Sequence, residues 1–277
     1  PEPVRGAIGF RNVSLQYVEG GPSAVRGVTL DIPPGKVVCL VGPTGSGKST
    51  LLSLVTRLYD PTGGEILLDG IPLRSLRLRP LRRAIGNILH DCDVFTGTIA
   101  ENLRFGEPRA AQADLEQAAR QAGLDEFIRS LPKAYDTPVG RQGLALSDEQ
   151  RVRLAVARAL VTRPAVLTID DTFSALEHTV AEQLGGAIRS ALADRTVLIA
   201  TSRLSICEAA DLVVVMQRGS VADVGTHAEL LARPGLYRRM YTRQTGREPA
   251  PAPTAVGTGG TPPRPTAEGV GGHGDQT

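Results

Sequence analysis

A glycine-rich segment that ends in lysine and serine constrains this sequence more than any other feature. Residues 42–49 read Gly-Pro-Thr-Gly-Ser-Gly-Lys-Ser and match the eight-position pattern GxxxxGK[ST] without a mismatch. The apolar run 36–41 predicts a buried strand before the segment, and the apolar spacing of 49–58 predicts a helix after it. A strand, a glycine-rich turn and a helix in this order are the structural context of a phosphate-binding loop.

The residue types in this loop suit a triphosphate. Glycines allow the backbone to curl so that successive N–H groups point at phosphate oxygens, and the helix adds its positive N-terminal end. Lys48 supplies a full charge at the β- and γ-phosphates, and the Ser49 hydroxyl can ligate Mg²⁺. An ordinary glycine-rich turn is the alternative, but the sequence has three lysines, so that a chance match is about a one-in-hundreds event. The predicted phosphate-binding residues are Gly42, Pro43, Thr44, Gly45, Ser46, Gly47, Lys48, Ser49 and Thr50.

A carboxylate farther along the chain supports the same site. Residues 166–170 read Val-Leu-Thr-Ile-Asp, a short apolar strand that ends in an acid. An acid at this place lies beside the Mg²⁺ of a phosphate-binding loop. An apolar strand that ends in Asp is common, and only its pairing with the loop makes it informative. We therefore predict that Ser49 and Asp170 share the metal site.

The order of the remaining elements predicts an α/β fold. Residues 8–17 and 25–32 alternate like half-exposed strands. Further strands are predicted at 65–68, 85–89, 166–169, 196–200 and 212–216, and further helices at 109–122, 124–131, 148–161 and 177–192. Strands separated by helices indicate βαβ units and a largely parallel sheet.

Composition argues against several classes of protein. The net charge is only +2 and acidic residues are interspersed with arginines, so we predict no nucleic-acid partner. The three cysteines are far apart and form no CxxC pair, which suggests neither a disulfide framework nor a zinc site. No stretch approaches the roughly 18 to 20 apolar residues of a membrane span. The sequence begins at Pro1, and we expect a piece of a longer chain or a processed product.

Three further segments resemble one family. Residues 146–160 (LSDEQRVRLAVARAL) resemble the signature segment of ABC ATPases, usually LSGGQ followed by an Arg-rich helix. Residues 94–103 (VFTGTIAENL) resemble the segment after the Q-loop in exporters with fused transmembrane domains, and 174–177 (SALE) resemble the D-loop. The resemblance covers about residues 5–245 in the expected order. The sequence is identified as a member of the ABC ATPase family, of the exporter branch.

This resemblance implies a P-loop (RecA-like) core with a mixed, largely parallel sheet, an antiparallel β subdomain and an inserted α-helical signature subdomain. The predicted core comprises residues 4–89 and 163–245, and the helical signature subdomain residues 90–162. Residues 246–277 are rich in Pro, Gly, Thr and Ala, and we expect them to be disordered because they cannot bury enough apolar surface.

The resemblance also implies partners and a cofactor. Two such domains sandwich two ATP molecules with Mg²⁺, and Ser147 and Gln150 of each signature face the nucleotide of the other domain. Closure of the sandwich drives transmembrane helices of the same transporter, fused or separate, at the cytoplasmic face of the cell membrane. Tyr17 stands at the aromatic position that stacks on adenine; a simple strand aromatic is the alternative.

Several catalytic positions depart from the family. Asp171 stands where a glutamate normally orients the attacking water, and a retreat of about 1 Å can cost on the order of 10²-fold in rate. Ser202 stands in place of the H-loop histidine and is too short to span the same gap. His90 replaces the Q-loop glutamine and is expected to contact water or Mg²⁺. All three are predicted catalytic residues.

The signature departs as well, since Asp148 and Glu149 replace its two glycines. They add negative charge where the family expects a phosphate, whereas Ser147 and Gln150 can form a capping box that merely starts a helix. Asp171 and Ser202 resemble the degenerate half of a heterodimeric exporter, beside a non-identical second domain. In such pairs the poor signature usually lies on the other subunit, whereas this chain carries both kinds of change. The sequence leaves open a slow ATPase, a non-hydrolysing regulatory module and a soluble ABC protein of the repair or translation type.

Overall fold

The computed structural model describes residues 3–174 and 176–246. The strands are β1 (Ile8–Gln16), β2 (Ser23–Ile32), β3 (Val37–Val41), β4 (Gly63–Leu68), β5 (Ile71–Pro72), β6 (Ile85–Ile88), β7 (Gly97–Thr98), β8 (Pro138–Val139), β9 (Val166–Asp170), β10 (Thr196–Ala200), β11 (Leu212–Gln217) and β12 (Ser220–Gly225). The helices are α1 (Lys48–Val55), α2 (Leu78–Ala84), α3 (Ile99–Leu103), α4 (Gln112–Gln121), α5 (Asp125–Ser130), α6 (Asp148–Val161), α7 (His178–Ala191), α8 (His227–Ala232) and α9 (Leu236–Thr245).

A four-stranded antiparallel sheet lies at the N-terminal end of the chain, in the order β2-β1-β4-β5. Its strands alternate buried and exposed positions, as a sheet with one covered face requires. The buried apolar side chains of β1 are Ile8, Phe10, Val13 and Leu15. These side chains pack with α1 and the central strands in one apolar cluster.

The central sheet has six strands in the order β12-β11-β3-β10-β9-β6. Five of them are parallel, and β12 pairs antiparallel with β11 at one edge. The central strands are buried almost throughout, which explains their continuous apolar runs. The predicted α/β class, with a mixed, largely parallel sheet and a separate antiparallel sheet, is therefore confirmed.

The register of the central sheet determines where the candidate site lies. Ala200, the last residue of β10, pairs with Leu40 of β3 and with Asp170 of β9. The carboxyl ends of these three parallel strands therefore meet at one edge. Ligands bind at this edge in open α/β sheets.

Helices α3 to α6 form a second layer beside the sheet. Their apolar faces meet around α6, where Leu103, Leu115, Ile128 and Val156 are fully buried. The same apolar cluster continues into the sheet at Ile88. The boundaries at residues 90 and 162 of a separate helical subdomain therefore stay a prediction.

Several elements differ from the sequence prediction. The helix predicted over 49–58 ends at Val55, because Arg57 adopts a left-handed backbone conformation with φ 52°. Helices α2, α8 and α9 and the edge strand β12 were not predicted. The disordered tail predicted for 246–277 lies outside the described residues except for Gly246, which follows α9. Among the described helices, none is long and apolar enough to cross a membrane.

Candidate functional site

The loop between β3 and α1 requires glycine at two positions for steric reasons. Gly42 has φ 152°, and a Cβ there would lie 2.2 Å from the carbonyl oxygen of Met216. Gly47 has φ 100°, and its Cβ would lie 2.6 Å from the carbonyl oxygen of Ala24. Neither contact is tolerable, so the loop can adopt this curl only with glycines.

Two polar groups of the loop, the Ser46 hydroxyl and the Lys48 ammonium, are suited to binding a ligand. The Ser46 hydroxyl is buried and has no hydrogen-bond partner among the described residues. Among the described residues, the Lys48 Nζ donates within its own loop, to the carbonyl oxygens of Gly42 at 2.9 Å and Pro43 at 3.2 Å. A buried hydroxyl that no described residue engages, and an ammonium bonded to main-chain oxygens, fit the oxygens of a bound phosphate.

The charge of Lys48 is sensitive to this environment. Burial lowers the pKa of the ammonium, and the negative charges of Asp171 and Asp170 partly oppose this effect. A phosphate beside Lys48 would add more negative charge and favour the ammonium form. The positive charge of Lys48 is therefore more favourable when an anion is bound in the loop than when none is bound.

Two of the three predicted metal ligands, Ser49 and Asp170, lie together. The Ser49 hydroxyl, in the first turn of α1, donates to Oδ1 of Asp170 at 2.7 Å. Asp170 is the last residue of β9, so the central sheet brings residues 121 positions apart into contact. Mg²⁺ is usually bound by one or two protein oxygens, phosphates and water, and this pair fits that requirement.

The three predicted catalytic residues also lie together. The Asp171 carboxylate accepts hydrogen bonds from the backbone N–H and the hydroxyl of Ser202, both at 3.1 Å. The His90 Nδ1 lies 3.2 Å from the main-chain oxygen of Asp171. Asp171 itself has φ 43°, a strained conformation for a residue other than glycine. Because the contact of His90 is with Asp171, its role as a metal ligand stays a prediction.

Tyr17 lies beside α1. Its hydroxyl is 2.9 Å from Oγ1 of Thr50, and its ring is half exposed. The ring of Tyr59 meets it at right angles, with the ring centroids 5.1 Å apart. The contact with Tyr59 was not predicted from the sequence. An aromatic residue shortly after α1 is the signal that could have indicated it.

The signature segment lies on a different element from the phosphate-binding loop. Ser147 and Gln150 form a capping box: the Ser147 hydroxyl accepts from the Gln150 N–H at 3.2 Å, and Gln150 Oε1 accepts from the Ser147 N–H at 2.9 Å. Helix α6 contacts α3, α4, α7 and β6, whereas α1 contacts β2, β9 and β10. Among the described residues, no hydrogen bond joins Ser147 or Gln150 to the loop of their own chain.

The two acids of the signature are paired within their own helix. Glu149 Oε1 accepts from Arg153 Nε at 2.8 Å, and Asp148 pairs with Arg151. Asp148 is 65% exposed, so its pair with Arg151 contributes little stability, whereas Glu149 is 45% exposed and its partner Arg153 only 14%. Their negative charge therefore stays at the surface, at the start of α6.

Two residues that sequence reasoning missed support the Ser202 region. Gln244 of α9 donates to the Ser202 carbonyl oxygen at 2.8 Å and accepts from the Leu204 N–H at 2.9 Å. Arg203 donates to the carbonyl oxygens of Ser174 and Leu176 in the predicted D-loop. The residue between these two lies outside the described residues. No sequence signal pointed to these contacts, because each joins distant parts of the chain.

Comparison with known proteins identifies the family. Residues 25–174, more than half of the chain, match the family described as ABC transporter. The chain belongs to the ABC transporter family. It is 45% identical over 243 residues to the rat (Rattus norvegicus) protein named "Mitochondrial potassium channel ATP-binding subunit", a match that covers 87% of this chain and 34% of that protein.

Two other relatives are bacterial. The "ATP-dependent lipid A-core flippase" of Chromohalobacter salexigens is 39% identical over 244 residues, covering 88% of this chain and 42% of the flippase. A solved structure of a bacterial Atm1-family ABC exporter with ATP bound matches with a TM-score of 0.82 and 36% identity, covering 87% of this chain and 42% of that one. This ABC domain thus spans less than half the length of the relatives it matches.

Proposed function

We propose that this chain is the ATP-binding domain of an ABC exporter that hydrolyses ATP slowly and drives transport by closing an ATP sandwich. The observation that carries the proposal is the loop of residues 42–50. Its Ser46 hydroxyl has no hydrogen-bond partner among the described residues, and its Lys48 donates to a carbonyl oxygen of the loop itself. The backbone N–H groups of this loop and Lys48 bind the phosphates, and Ser49 with Asp170 holds the metal. Mg²⁺, when bound, neutralises part of the phosphate charge.

Asp171 is the residue we assign to the attacking water, with Ser202 and His90 beside it. The carboxylate lies next to Asp170, at the edge where the phosphates would end. Two hydrogen bonds from Ser202 hold it against β10. A carboxylate so held, and one methylene shorter than the glutamate of the family, supports slow turnover.

A membrane partner is supported by an apolar cleft on the surface. The cleft has a volume of 330 Å³, and its lining includes the exposed side chains Leu58, Leu89 and Phe105. Phe105 is 62% exposed and stacks on Phe95 with the ring centroids 4.2 Å apart. Exposed apolar clusters of this kind mark interaction sites. We assign this cleft to the transmembrane domain, fused or separate, which places the chain at the cytoplasmic face of the cell membrane.

A second, non-identical ABC domain is the other partner that we propose. Ser147 and Gln150 bond to each other and, among the described residues, make no hydrogen bond to their own loop, which supports a role toward a neighbouring domain. Asp171 and Ser202 weaken this chain's own site, and Asp148 and Glu149 weaken the signature it presents. Asp171 and Ser202 are the changes that resemble the degenerate half of a heterodimeric exporter. With an intact partner, one composite site would have a poor base and the other a poor signature.

A regulatory module that binds ATP without hydrolysis is the second candidate. The direct pairing of Asp171 with Ser202 favours it, because the carboxylate is then engaged within the protein. One relative is named as the ATP-binding subunit of a channel, and this fits control by binding. In this alternative, ATP closes the sandwich and hydrolysis at this chain's own loop is negligible.

Single-turnover hydrolysis separates the two candidates. The chain, in excess over ATP and with Mg²⁺, is followed for release of phosphate, alone and mixed with its partner domain. A slow ATPase converts the bound ATP at a rate above the no-protein background, and the Lys48→Ala variant does not. If the wild type releases phosphate no faster than Lys48→Ala, the bound ATP persists, and this result would support the regulatory module.

A further inference from the structure

Tyr59 occupies a position that the ATP-binding role of the loop does not explain. It follows α1 in sequence, is 48% exposed and packs against another aromatic ring. Its partner is Tyr17, with the ring centroids 5.1 Å apart and the planes at 84°. This is the edge-to-face arrangement that aromatic pairs prefer.

The two contacts of Tyr17 restrain different parts of its side chain. The hydroxyl is held by Oγ1 of Thr50 at 2.9 Å, and Thr50 is buried in the first turn of α1. The ring is held by Tyr59, which comes after the other end of the same helix. A tyrosine has only two side-chain torsions, and one contact at the hydroxyl with another at the ring limits both.

The remaining surface of Tyr17 stays open. A perpendicular neighbour covers at most one face of a ring, and Tyr17 is 52% exposed. An open face of a held aromatic ring is a surface on which a planar base can stack. Because Thr50 directly follows Ser49, this face is fixed relative to the residues that hold the phosphates.

We propose that Tyr59 is a positioning residue that holds the Tyr17 ring in the orientation in which it stacks on the base of a bound nucleotide. This inference rests on the proposed ATP-binding function. Tyr59 acts through Tyr17 and contacts no phosphate. Its contribution lies in ordering the ring before the nucleotide arrives, which reduces the entropy lost on binding.

The test measures Mg²⁺-dependent affinity for ATP and for inorganic tripolyphosphate by calorimetry. Four proteins are compared: the wild type, Tyr59→Ala, Tyr17→Ala and the double variant. Tyr59→Ala is expected to bind ATP about 2- to 12-fold more weakly, the range that one aromatic pair contributes. Its affinity for tripolyphosphate is expected to equal that of the wild type, because the phosphate loop is untouched.

Two further results are expected if Tyr59 acts through Tyr17. Adding Tyr59→Ala to Tyr17→Ala causes no further loss of ATP affinity, since the ring that Tyr59 holds is already gone. Tyr59→Phe keeps the ring and restores the wild-type ATP affinity. Melting curves of the variants establish that each one is folded.

Three outcomes would overturn the inference. In the first, Tyr59→Ala binds ATP with the affinity of the wild type. In the second, Tyr59→Ala lowers ATP affinity equally in the wild-type and Tyr17→Ala backgrounds. In the third, Tyr59→Ala lowers the affinity for tripolyphosphate as much as the affinity for ATP. In each of these cases a wild type that binds ATP leaves the proposed function standing. A wild type without affinity for ATP would overturn both proposals.

Discussion

The carboxylate of Asp171 and the short side chain of Ser202 are joined directly across neighbouring strands. The Ser202 hydroxyl lies 3.1 Å from Oδ1 and 3.3 Å from Oδ2 of Asp171, and the Ser202 N–H is also 3.1 Å from Oδ1. In the family, a glutamate and a histidine normally stand at these two positions. Here the two shorter residues satisfy each other, so their substitutions act as a pair.

Restoring both long side chains is expected to raise turnover. In Asp171→Glu/Ser202→His the carboxylate reaches about one methylene farther and loses its serine partner. A displacement of about 1 Å can be worth on the order of 10²-fold in rate, and we expect a gain of at least about 10-fold in single-turnover hydrolysis. Lys48→Ala in the same background serves as the control and abolishes the gain. No gain in the double variant contradicts the view that these positions limit the rate.

Removing the two acids of the signature is expected to tighten ATP-dependent dimerisation. Asp148→Gly/Glu149→Gly removes negative charge from the start of α6, where we propose that the phosphate held by the neighbouring domain binds. Sedimentation velocity with Mg²⁺ and ATP measures the change. Two glycines in a helix also cost on the order of 1 to 2 kcal/mol of stability, and a lowered melting temperature is expected.

Asp148→Asn/Glu149→Gln is the matched control for that experiment. It removes the charge and keeps the side-chain volume. If charge alone prevents the contact, this variant tightens dimerisation as the glycines do; if volume matters, only the glycines do so. Unchanged dimerisation in both variants would mean that the acids face away from the nucleotide.

The capping box of α6 is expected to be a measurable source of stability. Ser147→Ala removes the hydroxyl that accepts from the Gln150 N–H, and such a loss costs about 1 kcal/mol. Urea unfolding measures it. Ser130→Ala, which removes an exposed hydroxyl near the end of α5, is the matched control and is expected to cost less than about 0.5 kcal/mol. Equal effects of the two variants would show that the cap contributes nothing.

Asp125 is expected to make stability depend on pH. Burial raises the pKa of this carboxyl, but hydrogen bonds from Tyr135 at 2.6 Å and Arg129 at 2.8 Å outweigh burial and leave the pKa lowered. The stabilisation is therefore complete above the ordinary aspartate pKa of about 3.9 and is lost as pH falls through the lowered value.

Urea unfolding of Asp125→Asn at several pH values measures that effect. At pH 7 the variant is expected to be less stable by about 1 to 3 kcal/mol, and the difference is expected to shrink below about pH 4. Asp31→Asn removes an exposed partner of Arg11 and serves as the control, with an expected loss within about 0.5 kcal/mol. A loss in Asp125→Asn that stays constant from pH 7 to pH 3 would contradict the assignment.

The parts of the fold that depend on local signals could be predicted from the sequence. Helix α6 was predicted with its observed limits, because its cap and its apolar spacing lie within the same 15 residues. The strands β9 and β10 were recognised by their continuous apolar runs. The end of α1 was predicted three residues too late, since the left-handed conformation of Arg57 leaves no local signal in an apolar segment.

The contacts within the candidate site could be predicted only in part. The residue types at positions 42–50 and at Asp170 indicated a phosphate and metal site, because that chemistry requires them in a fixed order. The pairing of Asp171 with Ser202 depends instead on two strands lying side by side, because the two residues are 31 positions apart in sequence. The contacts of Gln244 and Tyr59 likewise depend on packing between distant elements.

The most direct test of the central claim is the equilibrium affinity of the purified chain for ATP, with and without Mg²⁺, in the wild type and in Lys48→Ala. Loss of the ammonium removes a positive charge from the phosphate-binding loop, and truncation of a hydrogen-bonded charge typically costs 2 kcal/mol or more, about 30-fold. We predict Mg²⁺-dependent binding in the wild type and a loss of at least that size in Lys48→Ala. Absence of Mg²⁺-dependent binding, or equal affinity of the two proteins, would contradict the account.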